Sequence, residues 1–288
     1  MLVIIGIVVV FAMVFGGFIA AGGHLEVIIE ALPFEMIIIG GAAAGATIIS
    51  NPGWVLKGAL KGFGRAMKGP RFKKADYIEL LSLQYQIFRL AKTKGMLALE
   101  AHIENPHESA LFSQFPKIQK DHHALDFVCD YLRMLTLGTD NPHELEAIID
   151  EELETHHHED HAVSHAMTNI SDGLPALGIV AAVLGVIKTM SSIDQPPSVL
   201  GGLIAGALVG TFLGIFLSYG IVGPMANACK QAQEADSKYL ECIKAGLLAH
   251  MQGYAPQVSI EFARKTLLSG VRPTFAELEE ATGSLPAV

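Results

Sequence analysis

The sequence predicts an all-α integral membrane protein with four transmembrane helices and a helical cytoplasmic domain. Three observations predict it. Mean hydropathy over the 288 residues is +0.40, with 51% hydrophobic and only 17% charged residues, which is too apolar for an ordinary soluble domain of this length. Four stretches, residues 2–21, 34–49, 174–190 and 199–222, come close to or exceed the roughly 20 apolar residues that cross a bilayer as helix. Between them, nothing alternates with the period of a strand.

The first stretch ends in Ala20, Ala21 and Gly22, which resemble a leader-peptidase site. No Lys or Arg precedes it, and its apolar run is longer than a signal core, so it reads as an uncleaved anchor. The second stretch is the shortest. Glu30 and Glu35 fall near its outer end and read as interfacial or capping carboxylates. Orientation follows from basic residues: the 22–32 connection has none, whereas Lys57, Lys61, Arg65, Lys68, Arg71, Lys73 and Lys74 follow the second helix. That places the large loop and both termini in the cytoplasm.

The chain then divides into residues 1–50 (two membrane helices), 51–169 (a cytoplasmic helical loop), 170–223 (two more membrane helices) and 224–288 (a cytoplasmic helical tail). In the loop, residues 76–94 carry a broad apolar face of Tyr77, Leu80, Leu81, Leu83, Tyr85, Ile87, Phe88 and Leu90. Another helix is expected over 125–137, and Asn105-Pro106 and Asn141-Pro142 mark helix starts. The tail reads as helix over 226–252 and again from Pro256 to about Gly270. Cys129, Cys229 and Cys242 show no pairing pattern and read as reduced thiols.

The third and fourth membrane helices hold no Asp, Glu, Lys, Arg or His over residues 174–187 and 199–222. Pro175, Gly178, Ala182, Gly185 and Thr189 share one stripe of the third. On the fourth, Gly202, Gly206, Gly210, Gly214 and Ser218 form a four-residue ladder, beside a face carrying Thr211 and Ser218. Such ladders serve tight helix packing or a smooth wall for a moving partner. Pro175, in the first turn of its segment, and Pro224, just past the end of its own, mark either helix punctuation or hinges. An ion-driven membrane protein places an ionisable group in its core. With none in this pair, the titrating carboxylate is expected from another chain.

Nine acidic residues crowd 140–160, and no Lys or Arg lies between Met134 and Ile187. Such a run is ordinarily a solvated face. His157, His161 and His165 repeat every fourth residue, but no thiol or fourth ligand accompanies them, so no metal site is expected and titration near neutral pH is their simpler consequence. The mixed charges Arg89, Lys92, Lys94, Glu100 and Glu104 form either a plain surface or a docking site for a charged partner. A net charge of −9 gives no nucleic-acid footprint. No Walker, Rossmann, GxSxG or HExxH pattern occurs, so nothing supports an enzyme or a bound cofactor.

The passages SDGLPALGIVAAVLGVIKTM from Ser171, LVGTFLGIFLSYGIVGP from Leu208, GYAPQVSIEFARKTL from Gly253 and RPTFAELEE from Arg272, with IENPHES and DEELETH in the loop, resemble the MotA family of flagellar stator subunits. That family shares a superfamily with ExbB and TolQ, which have three membrane helices. An envelope energiser of the ExbB or TolQ kind is the alternative reading. The resemblance implies a ring of five subunits around a MotB dimer whose membrane helix carries the proton-accepting Asp. It also implies that Pro175 and Pro224 are the family's functional prolines and that Thr211 faces MotB and the ion, with Gly178 and Ser218 along the same wall. Ala182 stands where sodium-driven relatives carry a hydroxyl, so the transported ion is expected to be a proton rather than sodium. Charged loop residues would engage the rotor protein FliG: Glu100 as the acidic member, Lys92 or Lys94 in place of the usual Arg, and Glu151 and Glu152 as a further acidic spot.

Overall fold

The structure is a computed structural model that describes residues 2–286. All regular elements among these residues are helical, as the sequence predicts. In order they are α1 (Leu2–Ala20), α2 (Glu26–Ser50), α3 (Gly53–Lys68), α4 (Lys74–Lys94), α5 (Glu100–Glu104), α6 (Pro116–Lys120), α7 (His122–Thr136), α8 (Pro142–Met190), α9 (Pro197–Leu217), α10 (Gly223–Met251), α11 (Pro256–Lys265) and α12 (Phe275–Gly283). A single π-helical turn, Ser218–Val222, joins α9 to α10, so helix runs unbroken over residues 197–251. Four helices are long and apolar enough to cross a membrane: α1, α2, α8 and the α9–α10 run.

By contact the chain divides into two units, residues 1–69 with 158–232 and residues 70–157 with 233–288. In the first unit α1 lies on α9 through aromatic edges, Phe11 to Phe216 at 5.2 Å and Phe15 to Phe216 at 5.4 Å between ring centroids. Most of its apolar side chains, among them Ile37, Ile49, Val183, Leu184 and Leu208, remain exposed. Apolar surface on that scale belongs against lipid or other chains.

Helix α3 is absent from the sequence expectations. Its buried stripe is Val55, Ala59, Gly62 and Ala66, residues too small to give a strong apolar signal. They are small because neighbours come close: a Cβ on Gly58 would lie 2.5 Å from Val163, and one on Gly62 2.6 Å from the Met167 sulfur. The opposite face carries Lys57, Lys61 and Lys68. Helix α2 also begins earlier than the sequence suggests, because the polar Glu26 and Glu30 and the internal Pro33 disguise its first two turns.

The second unit has a conventional core. Every named position of the expected α4 face is buried except Tyr85, which is partly so, and Tyr239 and Ile243 of α10 pack in the same core. A fully buried side chain of this size is worth about 1.5–3 kcal/mol, so this core holds its helices without help from the membrane. Asp121 caps α7, its Oδ1 accepting from the Ala124 N–H at 3.4 Å. Asn141-Pro142 starts a helix as expected, whereas Asn105-Pro106 opens a turn, and α-helix resumes only at Pro116, after a short 3₁₀ turn at Phe112–Gln114. Burial pushes the Cys129 thiol up to about 12, and all three cysteines are buried and unbridged.

The RPTFAELEE passage proves to be a lock. Thr274 and Glu277 cap α12 reciprocally, at 3.2 Å from the Glu277 N–H to the Thr274 hydroxyl and 2.7 Å from the Thr274 N–H to the Glu277 carboxylate. The Lys74 ammonium donates to the same carboxylate at 2.6 Å and, with the cap, holds it at about 2. Arg264 donates to the Pro273 carbonyl at 3.0 Å, tying α11 to the start of this motif.

Candidate functional site

Helices α8 and α9 meet at backbone distance. A Cβ on Gly178 would stand 2.8 Å from the Gly210 carbonyl, and one on Gly214 would stand 2.6 Å from the Leu174 carbonyl and 2.9 Å from the Gly178 Cα. A Cβ on Gly185 would meet Ala207 at 2.6 Å. The ladder therefore has two halves. Gly210 and Gly214 serve close packing within the chain, while Gly202 and Gly206 have nothing within 4 Å of a built Cβ. Gly178 belongs to the packed half, and Thr211 and Ala182 remain half-exposed beside it.

The two prolines lie elsewhere than the sequence reading puts them. Pro175 is deep inside the continuous helix α8, not in a first turn, and Pro224 lies within the α9–α10 run, not beyond a helix end. Polar and apolar segments run together into single helices with no helical break to show where one stops. Lacking an N–H, Pro175 leaves the Ser171 carbonyl without its helical donor. Opposite it, α9 passes into the π turn Ser218–Val222, which ends one residue short of Pro224. The Ser171 hydroxyl joins the two weak points, donating to the Ser218 carbonyl at 3.1 Å with the Ser218 hydroxyl at 3.2 Å. Ser218 is fully buried in this contact, whereas Pro224 is exposed. A proline-broken ladder facing a π turn is a place where two helices can bend together.

One group escaped the sequence reading. Glu35 is not a capping residue: it is 7% exposed, lies in mid-helix, and packs against α9. Its Oε2 is buried without a hydrogen-bond partner, 2.6 Å from where a Gly210 Cβ would be. The signal was available in the absence of a side chain at Gly210.

Residues 4–95 match the family model described as motility protein A N-terminal, and residues 119–242 match that of the MotA/TolQ/ExbB proton channel family. Motility protein A of Salmonella typhimurium is 44% identical over 280 residues, 97% of this chain and 94% of the relative. The chain belongs to the motility protein A family. Motility protein A of Escherichia coli is likewise 44% identical over 97% of this chain and 94% of its own length, and the chemotaxis protein LafT of Vibrio parahaemolyticus is 36% identical over 96% of each chain. Among solved structures, the flagellar MotAB stator complex from Bacillus subtilis matches with a TM-score of 0.71 at 28% identity, over 92% of this chain and 94% of that one. The C. jejuni MotAB structure has the same fold, with a TM-score of 0.75 at 22% identity over 93% and 95%.

The charged residues of the family's loop lie on the second unit. Lys92 and Lys94 end α4 and Glu100 begins α5, all three exposed. Glu151 is exposed, but Glu152 is engaged: its carboxylate accepts from the Tyr131 hydroxyl, and His156 stands 3.7 Å away. Burial, then the hydrogen bond to Glu152, pushes the Tyr131 phenol up. His157, His161 and His165 form no metal-holding group among the described residues.

Lys92 also bears on His250, whose ring stacks on Phe88 with centroids 4.6 Å apart. Burial first, and the Lys92 charge second, lower the His250 pKa below its ordinary 6.5. In acid the unfolded chain takes up this proton before the folded one does, so stability is full above about pH 6.5 and is lost as pH falls through the folded value. We expect the melting temperature of the solubilised protein to drop between pH 7 and pH 5 and the drop to shrink in His250→Phe. Equal pH profiles for the two proteins would refute it.

Proposed function

We propose that this chain is the ion-conducting stator subunit of a bacterial flagellar motor, forming a ring of five around a MotB dimer and turning ion flow into torque on the rotor protein FliG. The observation that carries the reading is 44% identity to motility protein A across 97% of the chain. The site fits it. Wall helices without charge, half-exposed at Thr211 and Ala182, suit a socket for a partner helix that brings its own carboxylate. The transported ion is a proton, because Ala182 offers no second hydroxyl to coordinate sodium.

Both termini and the second unit lie in the cytoplasm under the inner membrane, where Lys92, Lys94, Glu100 and Glu151 face the rotor. Even a paired surface charge contributes only about 0–1 kcal/mol to stability, so exposed charges such as these are available for steering a partner. The test is complementation: the chain, expressed with its MotB partner in a strain lacking its stator, restores swimming whose speed follows external pH and ignores sodium. Swimming that requires sodium would overturn the proton assignment, and normal expression without any swimming would overturn the stator reading. Thr211→Leu should assemble yet lose most of its torque, since a branched apolar side chain there blocks the partner and removes the hydroxyl.

A further inference from the structure

Among the described residues, Glu35 is the single Asp, Glu, Lys, Arg or His buried against α9 at the level of the α8–α9 glycine contact, and the proposed mechanism does not use it. Its position is specific. The Oε2 rests over Gly210, the residue before Thr211, and a Cβ built on Gly210 would be flanked by that oxygen at 2.6 Å, Ala181 Cβ at 3.1 Å and the Ala182 backbone N at 3.2 Å. A glycine at 210 lets the carboxyl reach the layer in which Thr211 and Ala182 lie.

The surroundings hold no countercharge. Neither α1 nor α9 has an ionisable residue, and none occurs over residues 174–187 of α8. Asp172 and Lys188 on α8 lie beyond the two ends of that stretch, and on α2 the other charges are Glu26 and Glu30, nearer its start. Helix α3, which also packs on α2, carries Lys57, Lys61, Arg65 and Lys68, but it follows the far end of α2, four turns from Glu35. A carboxyl buried among apolar groups with an oxygen unpaired is costly, and such groups in membranes mark ion pathways. Glutamine would fill about the same volume but could neither ionise nor hold a cation by charge.

We propose that Glu35 is a cation-binding carboxyl of the stator subunit itself, a relay that takes up the incoming ion beside Gly210 and hands it to the partner carboxylate next to Thr211. The relay rests on the stator reading. One cation enters, Glu35 holds it, and the same cation leaves, so the side chain returns to its starting state with each transfer. In a ring every copy carries its own relay, so the partner carboxylate meets a loaded donor at each step instead of drawing on bulk water.

Two measurements on the assembled complex test this. The first is labelling of the wild-type complex in membranes with a hydrophobic carbodiimide, which adds across a protonated carboxyl in an apolar setting to leave an N-acylurea. The Glu35 peptide should gain one carbodiimide mass, less of it as pH rises. Protection by added sodium at constant pH would make sodium the cation held, and indifference to sodium would make it the proton. No label on Glu35 at any pH, in a sample where the partner carboxyl is labelled, overturns the proposal. The second is motor speed at low load, where ion transfer limits rotation. A positioned proton-transfer group is worth on the order of a hundredfold in rate, so E35Q should slow rotation at least about tenfold at normal stator number, with E35D intermediate. E35Q stators that turn at wild-type speed with an unchanged pH profile overturn it too. If E35Q fails to assemble, the wild-type labelling decides alone. Failure of the stator reading is separate, since it would appear as wild-type chain that cannot restore swimming whether or not Glu35 is labelled.

Discussion

Gly214→Val is expected to abolish the α8–α9 pairing and with it the membrane unit. At this position the added Cβ meets backbone on two sides, the Leu174 carbonyl at 2.6 Å and the Gly178 Cα at 2.9 Å, and no flexible side-chain end can swing away. Overpacking costs about 1–3 kcal/mol where side chains adjust, and here the helices themselves must separate, so the loss should reach or exceed about 3 kcal/mol. Parting them also strips Ser218 of its hydrogen bonds to Ser171. The control is Gly206→Ala, two ladder steps removed, where nothing lies within 4 Å. Alanine in mid-helix gains about 0.5–1 kcal/mol over glycine, so this variant should melt slightly higher. Melting of the solubilised chain, followed by fluorescence-detected gel filtration, separates the cases. Equal melting of Gly214→Val and wild type would show that the contact contributes nothing.

Legibility in the sequence follows the physics of each signal. Long apolar runs with at most one charge are unmistakable because each ionisable residue in a bilayer is costly, and all four candidate membrane helices emerge from them. The α4 face was legible residue by residue because large side chains at helical spacing admit few other readings. Helix α3 was not, since its stripe of Val55, Ala59, Gly62 and Ala66 works by being small. The short helix α12 rests on a capping box and on Lys74, some 200 residues away in sequence, so local periodicity over nine residues could not reveal it. The ladder named the right glycines but not their division of labour, because spacing does not say which rung faces a neighbour. Glu35 was hidden for a related reason. A carboxylate one turn from Glu30 looks interfacial until Gly210 is seen against it.

Pro175→Ala should yield a stator that is more stable and nearly without torque. Proline in a helix interior costs about 3 kcal/mol or more, and alanine restores an N–H for the Ser171 carbonyl without adding bulk. The melting temperature should therefore rise. A fold optimised for stability alone would have no proline here, yet Pro175 stands opposite the π turn at Ser218–Val222 and one turn from the Ser171–Ser218 bond. In α8 the missing bond lets the helix bend at one carbonyl, and in the α9–α10 run the π turn does the same. Because the serine pair links them, the two helices bend together at this level. Straightening α8 with alanine removes one of the two weak points, so motors built from assembled Pro175→Ala subunits should turn at under about a tenth of wild-type speed, the rate penalty of roughly 1.4 kcal/mol or more on the moving step. Ser171→Ala leaves the proline in place and loses about 1 kcal/mol of linkage, so its motors should keep turning, more slowly. Melting and bead-assay rotation on the same preparations decide the matter: wild-type torque from a stiffened Pro175→Ala stator would mean that the proline is no hinge, and lower stability would mean that the helix does not gain from the restored N–H.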